Sequence, residues 1–142
     1  VNDKESLDIN YVSLQKGRET ESTMNVDGVV GGTGKKTWRG TIDFKNGCAE
    51  SKGDEQENVL LLDPKVVNKS LPVILCDEEA VEGRHGASIG RLGKEILFYM
   101  QSRGVDEKTA ENLIIRAKIN TAARSLGDEK TAAEVLAFVP GE

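Results

Sequence analysis

Apolar and polar residues alternate along the first half of the chain. Leu7-Asp8-Ile9-Asn10-Tyr11-Val12-Ser13-Leu14 alternates loosely, and Met24-Asn25-Val26-Asp27-Gly28-Val29 does so more cleanly. A period of two is that of a strand with one face buried. In Thr37-Trp38-Arg39-Gly40-Thr41-Ile42-Asp43-Phe44 the same period puts Trp38, Ile42 and Phe44 on one face. Leu60-Leu61-Leu62 and Leu71-Pro72-Val73-Ile74-Leu75-Cys76 are shorter, more apolar strand candidates. Between them Lys16-Gly17, Lys45-Asn46-Gly47 and Asp63-Pro64-Lys65 read as turns. The acidic runs Asp54-Glu55-Gln56-Glu57 and Asp77-Glu78-Glu79 read as solvated turns as well.

No helical pattern is inserted between these strands, which argues against a doubly wound βαβ fold. An antiparallel sandwich or a stacked β-solenoid remains. The lack of a clear sequence repeat weighs against a solenoid. The start at Val1, without an initiator Met, favours one: it reads as a piece of a longer protein, and the end of a solenoid is readily cut out because each rung contacts only its neighbours.

From about residue 91 the period changes. Ile96, Leu97 and Met100 follow helical spacing, with Phe98 and Tyr99 widening the apolar arc, and Gly104 stands where a C′ glycine ends a helix. Asp106 is placed as an N-cap for a second helix with the stripe Ala110, Leu113, Ile114 and Ala117, and Val105 is placed to staple onto Ala110. Gly127 stops that helix. Asp128 caps a third, with Ala132, Val135 and Leu136 inside. The expected organisation is a β portion over residues 1–90 and a helical domain over 91–142. The Ile96–Met100 helix reads as core, but short helices of this kind cannot bury all their apolar faces internally. A surplus face is a candidate protein–protein surface.

Composition narrows the function classes. Of 142 residues, 24 are acidic and 19 basic, a formal net charge of -5. That balance is a poor match for a phosphate backbone. No apolar run approaches the roughly 20 residues of a membrane span, and no secretory leader is visible. Aromatic residues make up 4%, which argues against a polymer-binding module built on aromatic rows. Two cysteines, Cys48 and Cys76, are too few for a disulfide framework. They read as reduced thiols of a cytoplasmic protein. Gly28-Val29-Val30-Gly31-Gly32-Thr33-Gly34-Lys35-Lys36-Thr37 is not a phosphate loop. Val29 and Lys36 stand where that motif needs Gly and Ser or Thr, and a strand follows where it must open a helix.

The lone histidine, His85, lies among small residues in Arg84-His85-Gly86-Ala87-Ser88-Ile89-Gly90-Arg91-Leu92, at the change of period. The residues leave two readings open. It is a surface or satisfied histidine, or it is a ligand or proton-transfer group, since an imidazole titrates at about 6.5. A metal site or active site joining His85, Cys76 and a carboxylate is the enzyme-class alternative, although the spacing lacks the tightness of a structural zinc motif.

The segment from Leu60 to about Ile115 resembles the SufB/SufD family, the scaffold subunits of Suf iron–sulfur cluster assembly. The residues that carry the resemblance are Asn58-Val59-Leu60-Leu61-Leu62, Leu71-Pro72-Val73-Ile74-Leu75, His85-Gly86-Ala87-Ser88-Ile89-Gly90-Arg91-Leu92 and Leu97-Phe98-Tyr99-Met100-Gln101-Ser102-Arg103-Gly104-Val105. Before Asn58, Thr37-Trp38-Arg39-Gly40-Thr41-Ile42 is the best anchor. The resemblance implies a right-handed parallel β-helix followed by a small helical domain, and a non-catalytic scaffold. It further implies pairing with a second, like or unlike, scaffold subunit and docking of a SufC-type ABC ATPase on the helices, here through Ile96, Leu97, Tyr99, Met100 and Arg103. His85 matches the family histidine proposed as a ligand of a transient iron–sulfur cluster at the scaffold interface. Gly86 stands where SufB-type members carry glutamate, so the chain is similar to SufD rather than SufB. Glu57 and Gly83 stand where sulfur-carrying cysteines fall in SufB-type and in some SufD-type members. A cluster at His85 would therefore need ligands from a partner, because thiolates usually hold such clusters.

Overall fold

The computed structural model describes residues 1–139. The first 91 residues contain six strands of ten residues each: β1 (Ser6–Gln15), β2 (Glu21–Val30), β3 (Lys35–Phe44), β4 (Lys52–Leu61), β5 (Val67–Cys76) and β6 (Glu82–Arg91). Successive strands alternate between two sheets, ordered β1-β3-β5 and β2-β4-β6. Within the first sheet β1–β3 and β3–β5 pair parallel, and within the second β2–β4 does the same. This removes the antiparallel sandwich from the alternatives. Parallel neighbours need a crossover connection, and here the crossover is a strand of the opposite sheet in place of a helix.

The expected strands lie within this framework, with one displacement. Leu60 and Leu61 only end β4, and the acidic run before them is its middle, not a turn. The corners between strands carry the unusual backbone. Gly32 sits at φ 62°, with its N–H donated to Asp63 Oδ2 at 2.6 Å. Glu19 and Glu50 take left-handed φ values of 57° and 64° at equivalent corners one above the other, where Glu19 N–H donates to Ala49 O at 3.0 Å.

Between the sheets, Trp38, Ile42 and Phe44 of β3 are buried, as the sequence period predicted. Phe44 and Ile42 form a core with Cys48, joined by Met24, Ile74 and Val81. Opposite them β4 turns Gly53, Glu55, Glu57 and Val59 inward. The two strands are matched in size along their length. A Cβ on Gly53 would lie 2.7 Å from Ile42 Cγ2, and a Cβ on Gly40 would lie 2.0 Å from Glu55 Oε1. Large residues on one strand thus face glycines on the other, which close packing at interior density requires.

Each buried carboxylate of this interior finds a partner across the gap through one of its two oxygens. Glu55 and Glu57 are 1% and 2% exposed, and Lys36 is 3% exposed. Lys36 Nζ is ion-paired with Glu57 Oε1, which also accepts from Asn68 Nδ2 at 3.4 Å. Trp38 Nε1 donates to Glu55 Oε1 at 2.5 Å. Buried charges persist only when paired and hydrogen-bonded, and these carboxylates obtain their partners from strand β3.

The chain divides into two compact units, Val1–Gly90 and Arg91–Glu142. The second contains α1 (Lys94–Ser102), α2 (Glu107–Arg124) and α3 (Glu129–Ala137). The cap residues act as predicted. Asp106 accepts from the Thr109 N–H, Asp128 from those of Lys130 and Thr131, and Gly104 and Gly127 follow their helices at φ 87° and 71°. The inner stripes differ in detail. In α2, Ala110 and Ala123 are buried while Leu113 and Ala117 are exposed, so the inward face is rotated from the expected one. In α3, Val135 is exposed and Ala132 and Leu136 are half-buried. Among the described residues no helix is long and apolar enough to cross a membrane.

Candidate functional site

His85 lies inside strand β6, not in a loop before the helices. The small residues around it give no alternation that announces a strand, yet strand geometry tolerates them where backbones or neighbouring side chains approach closely. The Glu82 N–H donates to Ser51 O at 2.9 Å, repeating one strand later the Lys52 N–H to Thr20 O bond (2.8 Å) of the β2–β4 ladder. Continued along β6, this ladder sets Gly83 beside Gly53, His85 beside Glu55 and Gly86 beside Gln56.

Two glycine environments agree with that register. A Cβ on Gly83 would lie 3.0 Å from Ile74 Cγ2 and 3.2 Å from Phe44 Cε2, so Gly83 faces the interior. A Cβ on Gly86 would lie 2.5 Å from Gln56 Oε1, on the outward face of β4. Alternation then turns His85 to the same side as Gly83. It shares that side with Glu55, but on the outermost strand of its sheet, and the residue is exposed. Glu55 uses Oε1 for the Trp38 indole, while its buried Oε2 has no hydrogen-bond partner.

The cysteines do not join this constellation. Cys48 is buried against Ile42 and Phe44, and Cys76 ends β5 beside Phe44; both are free thiols. Among the described residues no three His, Cys, Asp or Glu side chains gather closely enough to hold a metal ion. The alternative site of His85, Cys76 and a carboxylate therefore finds no geometry there. The arrangement can offer one exposed imidazole, with an interior carboxylate alongside it, to a group whose other ligands come from elsewhere.

The residues expected to dock a partner lie in or just after α1. This helix buries none of its residues, contrary to the reading of it as core. Ile96 is 48%, Tyr99 58% and Phe98 73% exposed, whereas Leu97 and Met100 are half-buried. The Arg103 guanidinium lies over the Tyr99 ring, 5.3 Å from its centroid, a cation–π contact that fixes both side chains on one surface. Sequence reasoning missed Glu55 and Phe98. The usable signal for Glu55 was its place two residues before Glu57 in a period-two segment.

The fold and site define a class: two sheets of parallel strands, an edge strand bearing one exposed imidazole, and a following three-helix unit. The chain belongs to the SufBD core family, since the family model described as "SUF system FeS cluster assembly, SufBD core domain" matches residues 1–118. The iron-sulfur cluster assembly protein SufD of Bacillus subtilis is 29% identical over 99 residues, 70% of this chain and 23% of that protein. The protein of the same name in Escherichia coli is 28% identical over 111 residues, 78% of this chain and 26% of its own length. A chloroplastic SufBD family protein of Arabidopsis thaliana is 24% identical over 129 residues, 91% of this chain and 23% of its own. The chain thus spans about a quarter of the length of these relatives.

Proposed function

We propose that this chain is a scaffold component of a Suf-type iron–sulfur cluster assembly complex, non-catalytic in itself and more SufD-like than SufB-like. In this reading the two parallel sheets are faces of a right-handed β-helix. The β portion over residues 1–90 pairs with a second scaffold subunit, and the helical domain over 91–142 docks a SufC-type ABC ATPase. The cluster is cargo, held in transit between subunits in the cytoplasm. The observation that carries the reading is the family match over residues 1–118, with His85 exposed on an edge strand inside the matched span.

The donor set fits a shared site rather than a complete one. One imidazole with no thiolate beside it supplies a single ligand, and iron–sulfur clusters need several, mostly thiolates. His85 therefore contributes one bond to iron, and the partner scaffold contributes the remainder. The exposed apolar residues of α1 support the docking assignment, because a solvent-facing aromatic and aliphatic patch marks an interaction surface.

The test is co-purification of the chain with the ATPase subunit from the same organism. Ile96→Asp and Tyr99→Asp change exposed side chains and leave the helix intact, so they are expected to abolish retention of the ATPase. Undiminished retention would remove this surface from the docking assignment.

A further inference from the structure

The ladder between β4 and β6 brings the only histidine of the chain level with a carboxylate that nothing in the resemblance singles out. Glu55 is 1% exposed, and its two oxygens are used unequally. Oε1 accepts the Trp38 indole N–H at 2.5 Å, whereas Oε2 is buried with no partner. Leaving a buried carboxylate oxygen unsatisfied costs more than an ordinary hydrogen bond returns. A donor close to this oxygen is therefore stabilised strongly. In the second sheet Met24 on β2 is paired with Glu55, and the ladder continued from the Glu82 N–H to Ser51 O bond sets His85 of β6 on its other side. Met24 has no proton to donate, and His85 does.

We propose that Glu55 is the positioning residue of His85: the exposed imidazole, which makes no bond to Oε2 in the structure, turns onto that unpartnered oxygen, donates one ring N–H to it and leaves the lone pair of its other nitrogen directed outward. Histidines that bind metals commonly donate their second N–H to a carboxylate, which fixes both tautomer and ring orientation. Glu55 holds the imidazole from behind, and Trp38 holds Glu55. Gly40 gives the carboxylate room, because any Cβ there would strike it. The inference rests on the scaffold reading only for what the free nitrogen then binds. The pairing itself needs no cluster, only a turn of the exposed His85 ring toward Oε2.

Composition makes the test direct. One histidine and one tryptophan occur in the chain, so the imidazole and indole nitrogens each give one unambiguous set of ¹⁵N signals. The experiment is imidazole tautomer determination by long-range ¹H–¹⁵N correlation on the 142-residue chain, at a pH well above the reference imidazole value of about 6.5. The expected wild-type result is a single tautomer. In Glu55→Gln the amide oxygen stays with the Trp38 indole and the NH₂ turns to the imidazole, so the protonated and bare ring nitrogens exchange identities.

A wild-type ring showing the tautomer mixture of a free imidazole would overturn the proposal without recourse to any variant. So would an unchanged tautomer in Glu55→Gln when the Trp38 indole signal shows that the core is intact. If the tautomer exchanges but His85→Ala leaves cluster loading unaffected, the pairing stands and the ligand role fails, so the two readings are separable.

Discussion

The Glu55 carboxylate lies directly against Gly40, so closely that a Cβ on Gly40 would sit 2.0 Å from Oε1. A glycine in a strand interior costs stability by itself. Here it makes room for an acid that points inward from the opposite sheet. The same acid takes the Trp38 indole N–H, so three residues of two facing strands form one unit.

Gly40→Ala is therefore an overpacking substitution in a strand that alanine could otherwise join. The expected loss is roughly 1–3 kcal/mol, seen as a lower denaturation midpoint with an unchanged slope. Gly90→Ala, where a Cβ would meet nothing within 4 Å, is the control and is expected to change little.

The buried pair of Lys36 and Glu57 gives a second outcome. Lys36→Met removes the cation and leaves Glu57 charged in the interior, with only Asn68 beside it. The expected destabilisation is about 3–5 kcal/mol. Replacing both, as Lys36→Met with Glu57→Leu, is expected to recover most of that loss, because the buried charge is gone. A double-mutant cycle by chemical denaturation measures the difference.

Acid acts on the helical unit through its caps. The Thr109 hydroxyl, and after it the Thr109 backbone N–H, holds the Asp106 carboxyl below its ordinary value of 3.8; Thr131 does the same for Asp128. A depressed folded value means that the unfolded chain binds more protons between the two values. The capping stability is thus complete above about 3.8 and is lost as the pH falls through the lower folded values. Helical circular dichroism is expected to fall in that acid range, and Asp106→Ala together with Asp128→Ala is expected to lower helix content already at neutral pH.

Much of the architecture was legible in the sequence for local reasons. Period-two alternation marks β1, β2 and β3, because burial of one face acts on each strand separately. Asp106, Asp128, Gly104 and Gly127 mark helix ends, because caps satisfy backbone groups within a few residues. Parallel pairing was not legible in the local pattern, since strand partners lie two elements apart and leave no turn signature; it entered only as what the family resemblance implies. Glu55 and Glu57 were misread as a solvated turn for a related reason: a charge is accepted inside only when its partner is known, and Lys36 and Trp38 come from the facing strand. The strand that carries His85 was not legible because Gly86, Ala87, Ser88 and Gly90 show no apolar–polar alternation. The place of His85 beside Glu55 depends on a ladder that no local pattern encodes. In α1 the error ran the other way, for an apolar helix was read as core although Phe98 is 73% exposed.

The role proposed for His85 is to supply one ligand to a cluster shared with a partner scaffold. Anaerobic reconstitution with iron and sulfide, performed on the chain together with the scaffold and ATPase subunits proposed as its partners, is the decisive test. Visible cluster absorption and iron content should be compared for wild type and His85→Ala. The account predicts that His85→Ala assembles into the complex normally yet loses most of the cluster absorption and bound iron. Equal absorption and equal iron in the two complexes would contradict it.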